Sequence, residues 1–146
     1  MMLFSIGFAQ KPAERFFTLL SDNHIELLID IRLNNKSQLA GFTKGDDLRY
    51  FLGKICGCAY KHCNEFAPTS EILSAYRKKE IEWEEYEKLY IALMNERGDY
   101  FSFCKNYSQY QKIAMLCSEP TANMCHRRLL SDLIQETSSD IQIKHL

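Results

Sequence analysis

Three short runs of consecutive apolar residues constrain the fold more than any other feature of this sequence. They lie at residues 2–7, 26–32 and 112–117. Strands that are apolar at consecutive positions, rather than at alternating ones, are typical of a parallel sheet buried on both faces. Residues 59–63 and 141–145 are predicted as two further strands. We therefore expect a mostly parallel sheet of about five strands.

The segments between these strands carry apolar residues at helical spacing. They predict helices over residues 12–23, 43–55, 70–79, 83–97, 100–110 and 123–136. Thr43 and Asp46 have the spacing of a capping box at the start of the second helix. Strands that alternate with helices predict an α/β fold, a three-layer sandwich in one domain over residues 1–146, with a helical section before the fourth strand.

Polar residues cluster where the predicted strands end. Right-handed crossovers place the carboxyl ends of parallel strands at one edge of the sheet, and open α/β sheets bind their ligands at that edge. The residues that follow the first four strands are Gly7 and Gln10, Asp30 and Arg32, His62, Asn64 and Glu65, and Ser118 and Glu119. These segments are expected to converge on the start of the last helix.

The start of that helix concentrates reactive side chains. Cys125, His126, Arg127 and Arg128 follow one another. Unpaired N–H groups and about half a positive charge at a helix N-terminus attract anions and lower the pKa of thiols. This segment therefore predicts either an anion-binding site or a reactive-cysteine site.

Several of these segments together resemble a known family. Gly7 closes the strand Leu3-Phe4-Ser5-Ile6, the second strand reads Leu28-Ile29-Asp30-Ile31-Arg32, and Leu116-Cys117-Ser118-Glu119 precedes Cys125-His126-Arg127. This combination resembles the domain-of-unknown-function 488 family nearly end to end, and Ala67-Pro68-Thr69 is similar to one branch of it. The resemblance implies no activity. Members often carry a basic, proline-containing stretch after the Asp-x-Arg strand, whereas residues 34–42 here keep only Lys36.

Seven residues are the candidates for a site. The catalytic candidates are Asp30, Glu119, Cys125 and His126, and the ligand-binding candidates are Gly7, Arg32 and Arg127. Cys125 is the natural nucleophile candidate, because its helix position and the neighbouring cations favour a thiolate. The spacing to Arg127 is not that of Cys-x5-Arg phosphatases, and a purely structural thiol is the favoured alternative. His126 is either an acid–base group or a packing residue.

The carboxylates and guanidinium groups among the candidates have two readings. Asp30 is costly to bury alone, so it is either a base or ligand contact, or the ion-pair partner of Arg32 or Arg127, or a helix cap. Glu119 is a second carboxylate of the site or a partner of Arg127 or Arg128. The guanidinium groups orient an anion, since they stay protonated.

The cysteines indicate a reducing compartment. Six of them occur in a chain without a recognisable secretion signal, so we expect free thiols in a cytoplasmic protein rather than a disulfide framework. Cys56, Cys58 and Cys63, with His62, do not have the paired spacing of zinc sites, and no metal or other cofactor is assigned. A redox pair of Cys117 and Cys125 is a weaker alternative.

Charge and hydropathy restrict the partners. A net charge of −1 argues against a dedicated duplex-binding domain, and no apolar run reaches the length of a membrane span. The sequence favours a site for a phosphate-bearing or nucleotide-like small molecule, with turnover left open. One alternative is a non-catalytic module for nucleic-acid ends or single strands, for which an aromatic platform would require several tyrosines exposed beside the cationic site. Another is a structural ion-pair network, with a partner surface on residues 70–110. No oligomeric state is indicated.

Overall fold

Five parallel strands form the centre of the molecule. The computed structural model describes residues 1–37 and 40–146. Gln38 and Leu39, two residues of the stretch 34–42 discussed above, lie outside the described residues. The strands are β1 (Met2–Gly7), β2 (Leu27–Asp30), β3 (Ala59–His62), β4 (Lys112–Cys117) and β5 (Gln142–His145), in the order β3-β2-β4-β1-β5. All four pairings are parallel, which confirms the predicted sheet.

Helices cover both faces of this sheet. They are α1 (Ala13–Asp22), α2 (Gly45–Phe51) with a π-helical turn after it (Leu52–Cys56), α3 (Ser70–Arg77), α4 (Trp83–Arg97), α5 (Phe103–Asn106) and α6 (His126–Thr137). Helices α1 and α2 pack on one face, and α4, α5 and α6 pack on the other. The three-layer α/β sandwich is thereby confirmed, with α3 to α5 preceding β4 as expected.

The consecutive apolar residues of β2 pack against the helices on both faces of the sheet. Leu28 packs with α1 and α2, whereas its neighbours Leu27 and Ile29 pack with α4 to α6. Successive side chains of a strand point to opposite faces of the sheet. A strand covered by helices on both sides therefore needs an apolar residue at every position.

Two local predictions were wrong. The capping box at Thr43 does not form: Lys44 is the N-cap of α2, and Thr43 lies in a preceding 3-10 turn (Gly41–Thr43). The helix predicted over residues 100–110 is instead a 3-10 turn (Asp99–Ser102) followed by the four-residue α5. Buried Tyr100, Phe103 and Tyr107 have helical spacing, but two short turns bury them equally well.

The last helix begins later than its sequence pattern predicts. It starts at His126, with Cys125 as an extended N-cap residue, so residues 123–125 belong to the loop after β4. Sheet order brings that loop to the other strand ends, because β4 lies between β1 and β2. Gly7 is opposite Cys117, and Asp30 is opposite Leu116. Within residues 1–37 and 40–146, no helix is long and apolar enough to cross a membrane.

Candidate functional site

A cleft of about 480 Å³ lies at the carboxyl edge of the sheet, where the loops after β2 and β4, the start of α6 and the α3–α4 pair meet. Of the seven candidate residues, Arg32, Glu119, Cys125 and His126 line the cleft. Gly7, Asp30 and Arg127 are buried outside its lining. The carboxyl edge thus gathers the candidates in two layers, one facing the cleft and one beneath it.

Asp30 and Arg32 form a buried, two-pronged ion pair. Arg32 Nε donates to Asp30 Oδ1 at 2.8 Å, and Nη2 donates to Oδ2 at 2.7 Å. The hydroxyl of Tyr60 also donates to Oδ2 at 2.7 Å, while the Thr43 carbonyl and hydroxyl oxygens accept from the guanidinium. We call Asp30, Arg32, Thr43 and Tyr60 the carboxylate network. Of the readings that the sequence left open for Asp30, the structure contains the ion pair with Arg32.

A second group of side chains joins the end of β4 to the start of α6. The donor atoms of Cys117, Cys125 and His126 all lie within 4.8 Å of one another, and all three residues are buried. His126 Nδ1 is 3.7 Å from Cys117 Sγ and 3.4 Å from the Tyr86 hydroxyl, while Nε2 bonds to the Ile31 carbonyl at 3.2 Å. We call Cys117, Cys125 and His126 the thiol cluster.

The pKa values of the two thiols in this cluster are shifted in opposite directions. A hydrogen bond from Cys125, together with the charge of His126, holds the pKa of Cys117 well below its usual value despite burial. The same bond to Cys117, together with burial, raises the pKa of Cys125. The sequence placed the thiolate at Cys125, whereas these pKa directions favour it at Cys117, whose Sγ lies 3.7 Å from His126 Nδ1. The role of Cys125 as nucleophile stays a prediction.

His126 responds to that charge. Burial on its own would lower the pKa of His126, but the Cys117 thiolate and its hydrogen bond raise it above the ordinary value. The cluster therefore favours a thiolate–imidazolium pair. The sequence offered Cys117 only as a redox partner. Its position as the last residue of a central strand was the signal that could have identified it.

Arg127 is fully buried beneath the cleft. Its Nη1 donates to the carbonyl of Glu119 and lies 4.0 Å from Cys125 Sγ. Within the described part of the chain, no group accepts a hydrogen bond from Nε or Nη2. A buried guanidinium with unsatisfied donors is unusual.

Gly7 makes room for this arrangement. A Cβ atom at Gly7 would lie 1.6 Å from the Glu119 carbonyl oxygen and 2.6 Å from Arg127 Nη1. Only glycine allows the loop after β4 to pass so close to the end of β1. This close approach accounts for Gly7 without any ligand, and its predicted ligand contact stays a prediction.

The remaining charged residues of the segment divide between the cleft and the surface. Glu119 lines the cleft, and it contacts Arg127 through its backbone carbonyl rather than its carboxylate. Arg128 pairs with Asp132 at 3.0 Å and Glu87 at 3.5 Å on the partly exposed side of α6. Arg128 is thus a surface ion-pair residue.

The wall opposite the strand ends is aromatic and basic, and the sequence did not assign it to the site. Trp83 and Tyr86 stack with centroids 5.3 Å apart, and Tyr76 lies 4.9 Å from Tyr86. Arg77 and Lys78, at the end of α3, line the same cleft. A signal was present in the sequence, since three basic residues follow Tyr76 directly, and Trp83 and Tyr86 come within the next seven positions.

One family model matches most of the chain. Residues 12–134 match the model of the domain of unknown function DUF488. The chain belongs to the DUF488 family. The resemblance predicted from the sequence is thereby confirmed, and the matched range contains the whole cleft lining but not Gly7. No curated protein and no solved structure matches the chain.

The other cysteines of this DUF488 domain lie apart from the cleft. Cys58 packs with α1 and α2, whereas Cys63 packs on the opposite face of the sheet. Cys56 Sγ accepts a hydrogen bond from Ser21, and His62 bonds to the Arg32 carbonyl. These side chains face different layers and cannot share one ion. Among the described residues, the thiol cluster is the group of three with metal-ligating spacing.

Proposed function

We propose that the cleft binds a small anionic ligand with a planar ring, a phosphate-bearing or nucleotide-like molecule. One observation carries this proposal: aromatic rings, two cations and the thiol cluster line a single cleft. Its volume of about 480 Å³ lies within the usual range for small-molecule sites.

The ring of the ligand would stack on the aromatic wall. Trp83 and Tyr86 stack on each other, and Tyr76 contacts both rings at an angle, so the ring planes are held before a ligand arrives. Stacking of a base on an aromatic side chain contributes about 1–3 kcal/mol and tolerates different bases. The wall therefore supports binding of a planar ring without selecting one base.

The anion would bind at Arg77 and Lys78. These exposed residues lie on the same cleft as the aromatic wall, whereas Arg32 already uses its guanidinium on Asp30. Buried Arg127 adds positive potential from beneath. Compared with the sequence-based assignment, Arg77 and Lys78 replace Arg32 as the direct contacts, and Arg127 acts at a distance.

Any turnover would use the side chains at the floor of the cleft. Cys117 is the thiolate of the thiol cluster, His126 holds a proton next to it, and Glu119 is the nearby carboxylate. Asp30 is paired away from the cleft and would position the β2 end instead. All six cysteines are free thiols, which supports a reducing, cytoplasmic setting.

The test is thermal unfolding of the protein against a ligand panel. Inorganic phosphate, nucleosides, nucleoside mono-, di- and triphosphates and short single-stranded oligonucleotides are compared. A ligand at about 100 times its Kd should stabilise the native state by about 2.7 kcal/mol. In the Arg77→Gln/Lys78→Gln variant, phosphorylated ligands should lose about tenfold or more in affinity, while free nucleosides keep theirs.

Arg49→Gln is the matched control, because Arg49 is an exposed arginine of α2 on the opposite face of the sheet. It should leave every affinity unchanged. Tight binding of oligonucleotides alone, with a steep salt dependence, would replace this proposal by the nucleic-acid module. No stabilisation by any member of the panel would contradict both.

A further inference from the structure

The thiol cluster has the composition of a transition-metal site. Thiolate sulfur and imidazole nitrogen are the ligands that Zn²⁺ prefers, and two cysteines with one histidine occur as its protein ligands in catalytic sites. The sequence suggests no such site, since Cys117 and Cys125 are separated by seven residues and only the fold brings them together.

The spacing of the donor atoms fits a tetrahedral ion. Zinc bonds of about 2.3 Å to sulfur and about 2.0 Å to nitrogen place a sulfur and a nitrogen ligand about 3.6 Å apart. The distance from Cys117 Sγ to His126 Nδ1 is 3.7 Å, and Cys125 Sγ lies within 4.8 Å of both atoms. Small side-chain rotations would complete the coordination.

The imidazole of His126 is held as metal-binding histidines are held. Its Nε2 bonds to the Ile31 carbonyl at 3.2 Å, and a carbonyl oxygen only accepts, so this nitrogen carries a proton. In the neutral ring, Nδ1 then has a free lone pair, and it faces Cys117 Sγ. A backbone carbonyl on the second ring nitrogen is the usual orienting partner of a ligating histidine.

Without an ion, the hydrogen bond to Cys117 and burial raise the pKa of Cys125, whereas nearby positive groups favour its ionised form. Arg127 Nη1 lies 4.0 Å from Cys125 Sγ, and Cys125 is the N-cap of α6, next to the positive end of its helix dipole. Two thiolates and a divalent ion are neutral together, so a bound ion would remove most of the cost of burying them.

We propose that Cys117, Cys125 and His126 bind one Zn²⁺-like divalent ion at the floor of the cleft. All three residues line the cleft, so the fourth tetrahedral position faces it. A water molecule or a donor atom of the cleft ligand would occupy that position, as in catalytic rather than structural zinc sites. This inference does not rest on the proposed nucleotide-like ligand.

The test uses the full chain, reduced and stripped with a chelator. Cobalt(II) should bind with one-to-one stoichiometry and give the thiolate-to-cobalt absorption and visible bands of a tetrahedral site, and zinc should displace it. Competition with a chromophoric chelator then measures zinc affinity. Cys117→Ser, Cys125→Ser and His126→Gln should each lower it by more than about 100-fold, since loss of outer-shell partners alone costs 10–100-fold.

Cys63→Ser is the matched control, because Cys63 is a buried cysteine outside the cluster. It should keep the affinity and the spectrum of the wild type. Circular dichroism of each variant separates lost binding from lost folding, and His126→Gln keeps the test valid if a cysteine variant fails to fold.

Three results would overturn the inference. The first is that the reduced protein binds neither cobalt nor zinc with one-to-one stoichiometry. The second is that zinc affinity is unchanged in the Cys117→Ser variant and in the His126→Gln variant. The third is a Cys117–Cys125 disulfide in the protein as purified, with no metal bound after reduction. The metal titration contains no organic ligand, so its failure leaves the result of the ligand panel intact, and the reverse also holds.

Discussion

The carboxylate network and the thiol cluster lie side by side at the same edge of the sheet, yet they differ in how fully their polar groups are satisfied. In the network, both oxygens of the buried Asp30 carboxylate accept hydrogen bonds from the buried Arg32 guanidinium. Thr43 accepts a further bond from the guanidinium, and Tyr60 donates one to the carboxylate. Beneath the cluster, Arg127 has two nitrogens for which the described residues provide no acceptor.

We expect this difference to separate a structural role from a functional one. A buried network whose charged groups are paired with each other gives specificity to the fold and has few donors left with which to bind a ligand. Thiols and an imidazole that line a cleft, above a guanidinium with unused donors, keep binding capacity at a cost in stability. The expected experimental signatures are therefore stability for the network and binding or reactivity for the cluster.

The largest expected effect comes from Arg32→Met. Removing the guanidinium leaves the buried Asp30 carboxylate without its counter-ion, which should lower the free energy of unfolding by about 3–5 kcal/mol. Urea denaturation measures this loss. The double variant Asp30→Leu/Arg32→Met removes both charges and should be the more stable of the two. If Arg32→Met lowers the free energy of unfolding by less than the double variant does, an unpaired Asp30 carboxylate is not the source of the loss.

Gly7→Ala tests the close packing beneath the cluster. The added Cβ would lie 1.6 Å from the Glu119 backbone carbonyl, which must shift together with Arg127. We expect a loss of about 3 kcal/mol in the free energy of unfolding, at the upper end for overpacking. The control is Gly53→Ala, where a Cβ has no neighbour within 4 Å among the described residues. Equal stability of the two variants would remove the packing explanation for Gly7.

Tyr60→Phe removes one hydrogen bond from the carboxylate network. Its hydroxyl donates to Asp30 Oδ2 at 2.7 Å and accepts from Asn35 at 2.9 Å. Loss of a bond to a buried charge should cost about 2 kcal/mol in urea denaturation. Tyr50→Phe, at an exposed tyrosine of α2, should change stability very little. A neutral Tyr60→Phe would mean that Arg32 alone satisfies Asp30.

The smallest expected effect is a change in thiolate absorbance caused by the ionisation of single thiols. It is also the most direct test of the difference between the thiol cluster and the carboxylate network. The pKa of Cys117 is held well below its usual value by Cys125 and His126, whereas burial raises the pKa of Cys58 to about 12. Because Cys117 itself raises the pKa of Cys125, the variant to compare is Cys117→Ser/Cys125→Ser. At neutral pH the wild type should show one more thiolate by ultraviolet absorbance than this double variant. Cys58→Ser should match the wild type there and differ only in strong alkali. An equal thiolate count in the double variant and the wild type at neutral pH would contradict the assignment.

Sequence patterns identified the sheet because its causes are local. Residues 27–29 are apolar at consecutive positions, and a strand of this kind has few stable environments other than a parallel sheet covered on both faces. The same reasoning located the carboxyl edge and drew attention to Asp30, Glu119, His126 and Arg127. It failed for the helix predicted over residues 100–110, since spacing alone does not distinguish one helix from two short turns.

By itself, then, the sequence determined the α/β class, the edge of the sheet that carries the polar residues, and membership in a family. Only the tertiary structure decided which residues at that edge contact one another. Asp30 forms an ion pair with Arg32, and Cys117 lies beside Cys125 and His126. The tertiary structure also brought the aromatic wall of α3 and α4 to the cleft. The physical reason is that local patterns report which face of an element is buried, whereas a side chain's partner and pKa depend on residues far away in the chain.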